Sequence, residues 1–115
     1  MKKFVVMYRV PVAVMQERRK NTPPEEMQRQ GKEIGEKMMA WTEKNKNSII
    51  DKGLPLGKNT RMTSAGAKPE TNDLNYYQVV AAASGDDVVA MMKDNPHVQI
   101  PEAYLDIMEV PHMGL

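Results

Sequence analysis

Residues 41–57 read Trp-Thr-Glu-Lys-Asn-Lys-Asn-Ser-Ile-Ile-Asp-Lys-Gly-Leu-Pro-Leu-Gly, ending in the pattern D-x-G-x-P-L-G. Trp41 is the last residue of an apolar stripe, and Lys44, Lys46 and Asn47 suit the C-terminus of a helix. Asp51, Gly53, Pro55 and Gly57 then shape a tight turn that delivers the chain into a strand. A helix followed by a shaped turn and a strand is the signature of a layered fold.

Upstream, Met27, Gly31, Ile34, Met38 and Trp41 recur at four-three-four-three spacing, which predicts one face of an amphipathic helix. Thr22 fits the N-cap, Pro23 the first helical position, and Glu25 completes a Thr-x-x-Glu capping box. Glu25 and Glu26 also complement the positive end of the helix dipole. Gly31 and Gly35 each cost about 1 kcal/mol against Ala in such a helix. Gly31, on the stripe, reads as a point of close backbone packing or of room beside a sheet. Before this helix, Lys2 to Val10 reads as a strand, with Phe4, Val6 and Tyr8 on one face and Lys3, Val5, Met7 and Arg9 on the other. Pro11 ends it, Val12 to Arg19 suits a short helix, and Arg18-Arg19-Lys20 reads as a solvated charge run.

Downstream, Thr60 to Ser64 reads as a strand and Gly66 to Leu74 as a polar loop. Tyr76 to Ala83 reads as a central strand. Ser84 and Asp87 suit the cap of a second helix that turns Val88, Met91 and Met92 inward. Asn95-Pro96 stops that helix, and Tyr104 to Val110 makes a last strand ended by Pro111. The order β-α-β-β-α-β predicts an α+β, ferredoxin-like domain over residues 1–115, with helices on one face of an antiparallel sheet.

Composition narrows the function classes. A chain of 115 residues supports one core. Sixteen basic and fifteen acidic residues leave a net charge of +1, so no strong field draws it to nucleic acid or an anionic membrane. Without cysteine there are no disulfides, thiolate nucleophiles or Cys-based metal sites. Lys2-Lys3 precedes a short apolar run, but Arg9 and Pro11 interrupt it. No stretch approaches a membrane span, and a soluble cytoplasmic protein is expected. Eleven methionines outnumber Leu and Ile together. At helical spacing they read as core residues in place of Leu, the alternative being a flexible pocket or a subunit interface.

Several stretches together resemble the YCII-related family of the dimeric α/β-barrel superfamily. They are the opening Met-Lys-Lys-Phe-Val-Val-Met-Tyr-Arg, Thr-Pro-Pro-Glu-Glu-Met, Trp41, Ile50-Asp51-x-Gly-x-Pro-Leu-Gly57, the strand from Tyr77, Asn95-Pro96-His97 and Met108-Glu109-Val110. The resemblance implies a ferredoxin-like protomer whose sheet packs on that of a second protomer to close a barrel, hence a homodimer. Most such relatives have no assigned function. A few are linked to breakdown of aromatic compounds by lyase or isomerase chemistry, using an acid and a His near the start of the first helix. This chain has Glu25-Glu26-Met27-Gln28 there, so that catalytic pair does not carry over.

The residues themselves offer few reactive groups. Of the two histidines, His97 stands on a stiff post-proline segment, where a neutral imidazole can be aimed as a general acid–base. His112 lies near the C-terminus. Asp51 is the acidic partner for His97 if the fold joins their turns. The structural alternatives are a His97 that caps carbonyls or packs under a loop, and an Asp51 that closes an Asx turn. Tyr8, Arg9, Trp41, Arg61 and Tyr76 are candidates to line a small-molecule pocket between helix and sheet, an Arg fixing a carboxylate and the aromatics supplying apolar area. Glu109 suits a cross-strand ion pair as well as a base. No metal-ligand motif, phosphate loop or nucleophile elbow occurs, and no metal or cofactor is expected. Two functions fit: a small-molecule-binding dimer, or a small lyase or isomerase using His97.

Overall fold

The computed structural model describes residues 1–111, so His112 lies outside the described residues. Its elements are β1 (Lys2–Arg9), α1 (Val12–Asn21), α2 (Pro24–Lys44), β2 (Ile49–Asp51), β3 (Thr60–Thr63), β4 (Gly66–Pro69), β5 (Leu74–Ala82), α3 (Gly85–Met92) and β6 (Tyr104–Glu109). Short 3₁₀ turns cover Lys46–Ser48 and Pro96–Gln99. The main sheet is antiparallel with strand order β2-β5-β1-β6.

The two-residue period of β1 sets its faces. Phe4, Val6 and Tyr8 are buried and pair with Val80, Gln78 and Tyr76 of β5. Trp41 of α2 and Val88 and Met92 of α3 pack on this face, with Leu105 and Ile107 of β6 at its margin. Each apolar side chain buried so completely contributes roughly 1.5–3 kcal/mol. The opposite face carries Val5, Met7 and Arg9, paired with Val79, Tyr77 and Leu74, and with Met108, Asp106 and Tyr104. The chain is therefore an α+β, ferredoxin-like layer with α2 and α3 on one side. Among the described residues no helix is long and apolar enough to cross a membrane.

Four expectations are corrected. The sheet's edge strand is Ile49–Asp51, not Thr60–Ser64. Thr60–Thr63 pairs instead with Gly66–Pro69, a stretch expected as loop, in a separate two-stranded hairpin. All eight of its residues are exposed, because Thr-Arg-Met-Thr offers no continuous apolar face to the core. Second, the Thr22 capping box does not form. Pro24 forces Pro23 into an extended conformation (φ −58°, ψ 148°), which moves the helix start on by one residue. Pro23 then takes the N-cap place and its carbonyl accepts from the Met27 N–H at 3.0 Å.

Third, Gly31 is exposed, and a Cβ there would meet nothing within 4 Å, so close packing does not explain it. Fourth, methionine is mostly peripheral. Of the described methionines Met92 is buried and Met38 and Met91 pack against the core, while Met39, Met62 and Met108 are exposed. By contrast Ser84 caps α3 as its sequence indicates, its Oγ accepting from the Asp87 N–H at 3.3 Å.

Candidate functional site

The Asp51–Gly57 turn is held by its own hydrogen bonds and by contact with β5. Asp51 Oδ1 accepts the Gly53 N–H at 2.8 Å, closing an Asx turn. Gly53 sits at φ +74°, and a Cβ on it would lie 1.6 Å from the Tyr77 carbonyl oxygen. Beyond it Pro55 bridges to Tyr76, and the Leu56 N–H donates to the Asn75 carbonyl at 2.9 Å. Tyr76 donates its hydroxyl to the Lys52 carbonyl at 2.6 Å. The turn thus clamps residues 51–56 onto the outer side of β5.

A buried polar cluster lies on the helix-covered face. The Tyr8 hydroxyl donates to Gln78 Oε1 at 2.5 Å and accepts from Asn95 Nδ2 at 2.9 Å. Asn95 Oδ1 accepts the His97 backbone N–H at 2.9 Å. The His97 ring stands edge-on to that of Tyr8, centroids 5.1 Å apart, and the Tyr76 ring stands edge-on to Tyr8 at 5.2 Å. His97 Nε2 lies 2.9 Å from the Arg9 carbonyl and 3.2 Å from that of Tyr104, so the Nε2–H tautomer donates to both and ties β1 to β6. Burial lowers the His97 pKa, with the two carbonyls pulling the other way, and keeps the ring neutral near pH 7. Burial pushes the Tyr8 hydroxyl up, so it stays protonated. Gln78 Nε2 is buried without a partner among the described residues. Gln78 was legible in principle, as a polar residue at a core-facing position of an apolar strand.

The sequence-derived candidates are thereby distributed. Asp51 pairs with Val79, on the open face of the edge strand β2, while His97 lies beneath β1 and β6 with the Tyr8 side. The fold does not join the two turns. Tyr8, Tyr76 and Trp41 share one core cluster. The Trp41 indole N–H is divided between Asp94 Oδ1 at 3.2 Å and the Met91 carbonyl at 3.3 Å. Arg9 is on the open face, held by Asp73 and Asp106, each at 2.7 Å. The Tyr104 hydroxyl first, and Arg9 second, hold the Asp73 carboxyl below its usual range. Arg61 is on the outlying hairpin. Glu109 pairs with Lys2 at 3.1 Å. Among the described residues no three potential ligating side chains are grouped to hold a metal ion.

A roomy concavity lies between α1 and the loops that flank the hairpin. A cleft of about 740 Å³ separates α1 from the segments 56–60 and 69–75 that flank the hairpin. Val12, Met15, Leu56 and Leu74 give it an apolar floor, and Arg19, Lys58 and Glu70 stand on its walls. The loop walls are cross-tied: Asn59 Nδ2 donates to the Glu70 carbonyl at 2.9 Å, and the Glu70 N–H to the Asn59 carbonyl at 3.1 Å. The Leu74 N–H donates to Asn72 Oδ1 at 3.0 Å. Sequence reasoning missed this site because it joins residues from three separated segments, and Arg19 reads locally as part of a charge run.

No protein-family model matches the chain, and no curated protein matches it by sequence. Among solved structures the fold is similar to a 5-chloro-2-hydroxyhydroquinone dehydrochlorinase from Burkholderia phenoliruptrix AC1100, determined in complex with 2,5-dihydroxybenzoquinone. The TM-score is 0.56 at 17% identity, over 96% of this chain and 94% of that one. At this identity the likeness is one of fold.

Proposed function

We propose that this chain is a cytoplasmic, homodimeric protein of the YCII-related kind that binds a small aromatic or carboxylate-bearing molecule. The site is the cleft between α1 and the hairpin loops, while Trp41, Val88 and Met92 pack on the helix-covered face of the sheet. The cleft itself carries this reading. Its volume of about 740 Å³ falls within the roughly 300–1,000 Å³ typical of small-molecule sites, and it combines an apolar floor with a few polar groups as such sites do. The fold's likeness to a protein solved with 2,5-dihydroxybenzoquinone supports an aromatic ligand, as an analogy of fold only.

The test is a fragment screen by amide-shift NMR, repeated on Met15→Trp, which fills the floor from α1. Binding fragments are expected to shift Asn59, Asn72 and Leu74 and to lose affinity in the variant. Fragments that bind Met15→Trp as well as the unaltered chain remove the cleft from consideration.

A second reading, a lyase or isomerase with His97 as general acid–base, draws on one observation. Burial keeps its imidazole neutral near pH 7, the form a base requires. Against it, Nε2 is already committed to two backbone carbonyls, and Asp51 stands on the other face of the sheet. Turnover of an aromatic or lactone acid that is abolished in His97→Gln, with the fold retained, would favour this reading.

A further inference from the structure

We infer that the cleft selects organic anions, with Arg19 and Lys58 gripping the carboxylate of a ligand whose apolar body rests on Met15 and Leu56. The inference rests on the cleft being the ligand site and adds the chemical class of what enters it. Charge accounting within the cleft leads to it. Three ionisable side chains line the walls, Arg19, Lys58 and Glu70. Glu70 is matched by Lys68 at 3.5 Å. Arg19 and Lys58 form no ion pair among the described residues. The cleft therefore keeps two uncompensated cations above an apolar floor, which is the complement of a small hydrophobic acid.

The other arginines near the helices are committed elsewhere. Arg9 lies between Asp73 and Asp106, Arg29 between Glu26 and Glu33, and Arg18 donates to Gln30 at 3.2 Å. Arg19, one residue on from Arg18, turns to the other flank of α1 and into the cleft. A guanidinium presents a planar fork suited to a carboxylate, and Lys58 adds a point charge from the facing loop. The two cations belong to different segments. α1 buries none of its residues, so it can settle onto a ligand with little loss of core packing, whereas the Lys58 wall is fixed by the Asn59–Glu70 pair of hydrogen bonds.

The experiment compares benzoate with benzamide, and phenylacetate with phenylacetamide, by NMR titration of the whole chain. Each acid is expected to bind about tenfold more tightly than its amide, through the cleft amides, and to weaken as salt is raised. Arg19→Gln and Lys58→Gln should each weaken the acids about fivefold and leave the amides unchanged. Lys20→Gln removes the same charge from α1 outside the cleft and should change neither. Amides that bind the cleft as tightly as the acids overturn the anion preference while leaving the cleft as a ligand site. A loss in Lys20→Gln equal to that in Arg19→Gln overturns the clamp in favour of diffuse charge. Cleft signals unmoved by any of the four compounds overturn both readings.

Discussion

Gly53 shows how one residue decides a local structure. Its φ of +74° lies in the left-handed region, and the Tyr77 carbonyl occupies the place of a side chain. Gly53→Ala is expected to cost more than about 2 kcal/mol, from the backbone conformation together with displacement of β5. Urea unfolding checks this, and a change within about 0.5 kcal/mol of the unaltered chain would be incompatible with the observed turn. His97 is a second residue-scale case. Its pKa is lowered from 6.5 on folding, so the unfolded chain takes up a proton before the folded one. The stability it provides is complete above about pH 7 and is lost as pH falls through the folded value. His97→Gln retains a donor for the Arg9 and Tyr104 carbonyls but not the titration. Thermal melts should show a decline as pH falls below about 7 that the variant lacks. His112 is common to both proteins, so the difference isolates His97. Equal pH profiles would contradict burial of the neutral ring.

At the scale of elements, α2 was legible because 3.6-residue periodicity is a local property. Met38 and Trp41 reach the core as their spacing requires. It starts one residue later than its capping pattern indicates because Pro24 restricts the residue before it, an effect of one neighbour that outweighs a capping preference. A Cβ at Gly31 or Gly35 of α2 would meet nothing within 4 Å among the described residues. Gly31→Ala should raise stability by up to about 1 kcal/mol, as should Gly35→Ala, and differential denaturation of the two variants measures it. A loss at either position would point to a contact made outside the single chain. The strands were harder to assign. Ile49–Asp51 is three residues long, too short for alternation to show. Thr60–Thr63 has the β-branched residues of a strand but no apolar face, and only its partner, Gly66–Pro69, reveals its place.

For the whole molecule, assembly turns on the sheet face away from α2 and α3. Val5, Met7, Tyr77 and Val79 are half-buried there, on the face away from α2 and α3, and Met108 is exposed. A sheet apolar on both faces needs a second layer, and a second copy supplies it in the proposed dimer. Light scattering at micromolar concentration should give twice the chain mass. Val5→Lys, at the centre of that face between Val79 and Met108, should shift the mass toward one chain without unfolding it. A single-chain mass for the unaltered protein would exclude the dimer.

The sequence by itself determined the class of fold, the two helices with Met38, Trp41, Val88, Met91 and Met92 turned inward, the central strands and the turn at Asp51–Gly53. Each of these depends on neighbours a few residues apart, through periodicity, a proline or a positive φ. Tertiary structure alone decided which strand borders the sheet, that His97 spans β1 and β6 while Asp51 lies on the opposite face, and that Arg9 is neutralised by Asp73 and Asp106. It also brought Arg19, Lys58 and Leu74 around one cleft. Those relations join residues tens of positions apart, and their pairing is set by burial and charge satisfaction across the folded layers rather than by any pattern along the chain.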